Sequence, residues 1–272
     1  MNFIEKIIAT LSWEMDSPKP FGLFHLISLA IIIATTIFIC IKFKDANDIV
    51  MRRIVLICWI IMISFEFYKQ IVFSYTPSSD VWDYEWYAFP FQLCSTPLFV
   101  LPFIAFKKDG KFRDAMMSYT STFSLIGGLL TLAYPSTVFI EIGGINIQTM
   151  VHHGIQLLLG VYLFVYNRRK TNVKYFVRAI PIFLSLVTIA ILLNEIMPAL
   201  INPASSSDYF NMFYISPYYE CVIPVLSSIS VAVHPVLFIF IYALGFTLAG
   251  FIIYCILHAI KVLSCRKNSK ND

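Results

Sequence analysis

Residues 149–166 read Thr-Met-Val-His-His-Gly-Ile-Gln-Leu-Leu-Leu-Gly-Val-Tyr-Leu-Phe-Val-Tyr, and Asn167-Arg168-Arg169-Lys170 follow at once. The stretch holds no Asp, Glu, Lys or Arg. At 1.5 Å of rise per residue it covers about 27 Å, close to the ~30 Å of a bilayer's hydrocarbon core. It is polar at one end, apolar through the middle and basic at the other end. Such a segment reads as a membrane-crossing helix with a direction, because basic residues stay on the cytoplasmic side.

The rest of the chain repeats the pattern. It has 272 residues, 58% hydrophobic and 13% charged. Soluble domains carry about 25% charged residues, so a water-soluble globule, a disordered chain and a disulfide-stapled miniprotein are excluded. The expected fold is all-α: a seven-helix bundle with spans near 21–41, 54–73, 89–106, 115–134, 149–166, 179–197 and 234–258, forming one integral membrane unit over residues 1–272. The spans are too evenly apolar for alternating barrel strands. Residues 1–20 do not read as a cleavable signal, since Glu5 and Lys6 interrupt the apolar run. Phe3, Ile4, Ile7, Ile8 and Leu11 recur at helical spacing, as in a helix lying in the interface.

The net charge of +4 is a topology code. Lys42, Lys44, Arg52 and Arg53 lie in one loop, and Lys107, Lys108, Lys111 and Arg113 in another. Arg168, Arg169, Lys170, Lys174 and Arg178 fill a third, and Lys261, Arg266, Lys267 and Lys270 the tail. The alternate loops, 74–88, 135–148 and 198–233, hold no Lys or Arg and carry Asp80, Asp83, Glu85, Glu141, Asp208 and Glu220. The N-terminus is therefore expected outside and the C-terminus inside. In the 198–233 loop the apolar segment from Phe210 to Ser230, broken by Pro217 and Pro224, reads as a re-entrant or lid-like piece.

Ionisable groups inside a membrane are costly and usually face a bundle interior. In that orientation His25, Glu66, Lys69, Gln70, Gln92, Cys94, His152, His153, Gln156, Asn194, Glu195 and His234 all fall toward the outer ends of six spans. The expectation is a polar chamber opening outward. Glu66 can pair with Lys69 or Gln70, three and four residues on along one helix face, so a structural ion pair is a competing reading of that group. Cys94 lies among Pro90, Pro97 and Pro102. Pro97 lacks an N–H, so the Leu93 carbonyl loses its helical partner and the backbone beside Cys94 is expected to be kinked and unsatisfied. A thiol needs a base or a cation nearby to react, and His25, His152, His153 and His234 lie at matching depth. A buried inert cysteine, or a Cys94–Cys221 disulfide, explains the same residue without chemistry. The six cysteines show no C-x-x-C spacing for a zinc or redox site.

Four segments carry a resemblance: Phe21-Gly22-Leu23-Phe24-His25-Leu26, Phe89-Pro90-Phe91-Gln92-Leu93-Cys94-Ser95, His152-His153-Gly154, and Phe213-Tyr214-Ile215-Ser216-Pro217-Tyr218 before Pro224-Val225-Leu226. Together they resemble the bacterial YwaF integral membrane proteins, which are similar to the transmembrane protein 164 family. The resemblance covers nearly the whole chain. It implies a bacterial cytoplasmic membrane location and cysteine-dependent acyl transfer on membrane phospholipids, with Cys94 at the position of the reactive cysteine. Bacterial members often carry His-Leu-Cys where this chain has Gln92-Leu93-Cys94, which shifts the base to His152 or His153.

The leading expectation is thus a lipid-directed acyltransferase or acyl hydrolase without a cofactor. Cys94 is its nucleophile, His152 or His153 the base, and Glu66 or Glu195 the orienting group. Gln92 or Asn194 is the oxyanion donor, and His25, Lys69, Gln156 and His234 line the substrate site. A solute transporter or sensor is the second reading, although no polar group is expected in the inner half of the bundle. A metal-dependent hydrolase using His25, His152, His234 and Glu66 is the third. The seventh expected span, 234–258, has no lysine for a retinal, and nucleotide and nucleic-acid motifs are absent.

Overall fold

The computed structural model describes residues 3–76, 81–201 and 209–268. Asp80, Asp208 and Lys270, and the side chains of Cys265, Arg266 and Lys267, lie outside the described residues. Among the described residues ten α-helices run in chain order: α1 (Phe3–Leu11), α2 (Leu23–Phe43), α3 (Asp48–Ser74), α4 (Pro97–Phe106), α5 (Lys111–Tyr119), α6 (Leu125–Ala133), α7 (Gly143–Tyr166), α8 (Val173–Leu200), α9 (Leu226–Ala232) and α10 (Pro235–Asn268). Tyr75–Thr76 and Val81–Trp82 form a short antiparallel ladder after α3.

Among the described residues four helices, α2, α7, α8 and α10, are long and apolar enough to cross a membrane. At 27 residues α3 matches them in length but carries Arg52, Arg53, Glu66 and Lys69. The expected span at 89–106 is not one helix. Phe89–Gln92 is irregular, Leu93–Ser95 is a 3₁₀ turn, and the α-helix starts only at Pro97. Proline suits a first helical turn because its missing N–H is unpaired there anyway. The expected span at 115–134 is α5 and α6 joined through a π-turn at Thr120–Ser124. The last two spans exceed their expected bounds, as α8 starts six residues earlier and α10 continues to Asn268.

At the centre of the bundle is α7, which packs on α2, α3, α6 and the π-turn. It buries most of its length, whereas α2 buries only His25 and Thr36. Many apolar side chains of the outer helices point outward instead, among them Ile31 and Ile37 of α2, Ile189 and Leu192 of α8, and Phe240 and Leu244 of α10, as lipid-facing surfaces do. Ser118, Thr120, Ser121, Thr122 and Ser124 are fully buried. Thr120, Ser121 and Thr122 each donate to the carbonyl four residues back, which satisfies these hydroxyls inside the apolar bundle. The expectation of a bundle without inner polar groups is therefore corrected: this hydroxyl run sits in its core.

One end of the bundle is basic. There the Asp48 carboxylate joins α3 to α5 through Arg113 and to Arg52 at 2.6 Å, while Arg168 pairs with Asp45. Burial opposes the charged form of Asp48, but the Arg113 and Arg52 guanidiniums outweigh it and hold the carboxyl below the usual carboxylate range. At the other, polar end, α1 and the segment after it form a strap. Tyr68 donates its hydroxyl to the Leu11 carbonyl (2.7 Å), and the Gly143 amide donates to the Trp13 carbonyl (3.0 Å). Thr10, Trp13, Ser64, Phe65, Tyr68 and Ile147 border an apolar cleft of ≈ 430 Å³ beneath it.

Candidate functional site

Cys94 sits in the 3₁₀ turn at the polar end, between α6 and α7. Gly128 brings those helices together: a Cβ there would lie 2.8 Å from Gln156 Cβ and 3.0 Å from the His153 carbonyl oxygen. In α7, positions 152 and 156 are one turn apart and share a face. His152 Nε2 donates to the Cys94 carbonyl at 3.0 Å, and Gln156 Nε2 donates to the same oxygen at 2.5 Å. A carbonyl only accepts, so Nε2 of neutral His152 carries the proton and Nδ1 the lone pair. That Nδ1 is buried and has no protein partner among the described residues, and the same holds for Gln156 Oε1.

The turn is braced from behind. Thr96 Oγ1 donates to the Leu93 carbonyl at 2.7 Å, and the Tyr119 hydroxyl meets Thr96 Oγ1 at 2.7 Å. The carbonyl orphaned by Pro97 is therefore satisfied by Thr96, correcting the expectation of an open backbone group. Both Cys94 and Cys221 are free thiols, so the structure holds no disulfide between them.

Glu66 and Lys69 on α3 complete this side. Lys69 Nζ lies 2.8 Å from Glu66 Oε1, and Gln70 Nε2 donates to the same oxygen at 2.7 Å and to the Ala88 carbonyl at 2.8 Å. Glu66 Oε2 is buried without a protein partner among the described residues. Both charges are near enough to act on Cys94, and the Lys69 charge also reaches His152 and His153. His153 donates Nδ1–H to the Thr149 carbonyl at 2.7 Å, within its own helix, and its ring meets His152 edge-on at 5.5 Å.

The other expected site residues do structural work. Gln92 grips the loop after α8 with both ends of its amide, donating to the Asn211 carbonyl and accepting from the Phe213 amide, each at 2.8 Å. Asn194 does the same to Met212, at 2.9 and 2.7 Å. Each amide thus commits its oxygen and one N–H to this loop. The His25 ring spans two backbones: its Nδ1 accepts from the Phe21 amide and its Nε2 donates to the Leu132 carbonyl, both at 2.9 Å. Glu195 accepts from the Tyr218 hydroxyl at 2.9 Å, and His234 is exposed before α10, accepting from the Val236 amide. The metal set of His25, His152, His234 and Glu66 is not gathered. Among the described residues no three His, Cys, Asp or Glu side chains are placed to hold an ion.

The gripped loop is the first part of the Phe210–Ser230 segment, and there Phe210, Met212, Phe213, Ile215 and Cys221 are buried, whereas Tyr218, Val222 and Val225 are exposed and α9 buries nothing. Phe213 and Tyr214 both take left-handed backbone angles (φ 58° and 57°), a strained state for large side chains that the two amide grips hold. Sequence reasoning missed Tyr119, Tyr214 and Tyr242, from α5, the loop and α10, each close enough to interact electrostatically with Cys94. Tyrosines inside apolar helices carry no spacing signal that separates a site from a core.

These features define a helical membrane protein with a cysteine, a histidine pair and an ion pair gathered at one end of its bundle. The chain belongs to the TMEM164 family, whose model matches residues 20–258. Neither the curated proteins nor the solved structures hold a match to it.

Proposed function

We propose that the protein is a multi-pass cell-membrane enzyme that moves acyl chains on phospholipids through Cys94. In this reading seven segments cross the membrane, with the N-terminus outside and the C-terminus inside, as the split between basic and acidic loops favours. The polar end then lies at the outer leaflet, where lipid esters can reach it.

The observation that carries the proposal is the pairing of His152 with the Cys94 backbone. It fixes the imidazole beside the residue that bears the thiol and leaves Nδ1 as a buried, unshared base. The Cys94 thiol, which makes no hydrogen bond to Nδ1 in the resting structure, turns toward it, gives it its proton, and the sulfur attacks the ester carbonyl. The protonated imidazole then returns the proton to the departing alkoxide, leaving a thioester. Lys69 supplies positive charge near both the thiolate and a lipid phosphate, and Glu66 fixes the ammonium in place. His153 spends its Nδ1–H on its own helix, which makes it the weaker candidate for base.

The test is transfer from a fluorescent phospholipid in proteoliposomes. Cys94→Ala and His152→Ala are expected to abolish it, and His153→Gln to retain most of it. Full transfer by Cys94→Ala would overturn the proposal.

A further inference from the structure

The expected oxyanion donors, Gln92 and Asn194, each commit their amide oxygen and one N–H to the loop after α8, so a less engaged donor suits the proposed reaction better. Tyr242 lies two turns into α10 and is completely buried, yet its hydroxyl has no protein partner among the described residues. Its ring is wedged among Phe213, Phe238 and Phe246, with centroids 6.5, 6.3 and 4.5 Å away. Phe213 is the residue whose amide Gln92 holds, two positions before Cys94. Tyr119, which braces the Cys94 turn through Thr96, stacks on Phe123, and α10 packs on the π-turn that carries Phe123. Tyr242 thus packs on the loop residue that Gln92 holds beside the Cys94 turn, and its hydroxyl lies within electrostatic range of Cys221 first, then Tyr119, Tyr214 and Cys94. Phenylalanine would fill the same aromatic cluster. A buried hydroxyl that bonds to nothing weakens the fold, so its presence points to a ligand atom as its partner.

We propose that Tyr242 is the donor that stabilises the oxyanion formed at Cys94. This rests on the acyl-transfer reading above. When the sulfur–carbon bond forms, the carbonyl π pair moves onto oxygen, and the Tyr242 O–H donates a hydrogen bond to that oxygen without giving up its proton. The pair returns as the carbon–oxygen bond to the lipid alcohol breaks, the alkoxide taking its proton from His152. The net change is lipid ester plus thiol to thioester plus lipid alcohol.

The experiment compares the full-length parent with Tyr242→Phe, Cys94→Ala and a variant carrying 3-fluorotyrosine at 242, in proteoliposomes with the labelled phospholipid. Tyr242→Phe is expected to lower kcat about 100-fold with KM unchanged and to unfold at the parent temperature or above it. The fluorinated phenol, a stronger donor of nearly the same shape, is expected to change the acylation rate and shift its pH profile. Parent-rate transfer by Tyr242→Phe beside an inactive Cys94→Ala would overturn the inference and leave the acyl-transfer reading standing. Transfer by Cys94→Ala would instead remove that reading. If Tyr242→Phe misfolds, the fluorinated variant decides: an unmoved rate and pH profile overturn the inference.

Discussion

Replacing Gln92 by leucine tests whether its amide builds the lid or serves a substrate. The parent side chain makes two bonds of 2.8 Å, to the Asn211 carbonyl and from the Phe213 amide. Asn211 and Phe213 are each 1% exposed, so water cannot replace the lost partner without opening the loop. Leaving the buried Phe213 amide unpaired costs ~1–3 kcal/mol, while the Asn211 carbonyl keeps the Tyr214 amide at 3.3 Å. The left-handed angles at Phe213 and Tyr214 add strain that the grip no longer restrains. Thermal unfolding in detergent should therefore fall by several degrees. Maleimide should also label Cys221, buried under the same loop, faster than in the parent. Asn194→Leu should act alike, and the double variant should lose less than the sum, because both amides hold one turn. Unchanged unfolding and unchanged Cys221 labelling in Gln92→Leu would refute the grip and return Gln92 to the candidate oxyanion donors.

Other expectations follow from the same structure. Gly144→Ala would put a Cβ 1.9 Å from the Tyr68 hydroxyl, so the strap should lift, read as faster protease cleavage before residue 20 and a lower unfolding temperature. His25→Phe removes the bridge between Phe21 and Leu132 and should lower stability while transfer per folded molecule persists; a loss of transfer at full stability would place His25 in the chemistry. The lowered carboxyl of Asp48 contributes stability that is fully present above the ordinary carboxylate pKa and lost as pH falls through its lower folded value. Asp48→Asn should therefore flatten the acid limb of unfolding temperature against pH below about pH 4, and an unchanged limb would contradict the pairing with Arg113 and Arg52.

Helix positions were legible where apolar length and flanking charge agree, as in α2, α3 and α7. Position 89–106 was not, because its Phe, Leu, Val and Ile residues keep the mean hydropathy high and a mean does not register that proline restarts a helix. Glu66, Lys69, Cys94, His152 and Gln156 were singled out by the cost of polar groups at depth, and the fold brings them to one end. The same argument misjudged Gln92 and Asn194. Their partners are backbone groups of a distant loop, about 120 residues away for Gln92, and an amide that closes such a loop looks like one that awaits a ligand. Tyr242 went unnoticed for the opposite reason, since its ring suits the core and only the solitude of its hydroxyl sets it apart.

The most direct measurement is intact-protein mass spectrometry after incubation with phospholipid vesicles. One hydroxylamine-labile fatty-acyl adduct is expected, mapping to the peptide that carries Cys94 and absent from Cys94→Ala. A parent protein without adduct, or an adduct that survives in Cys94→Ala, would contradict acyl transfer through this cysteine.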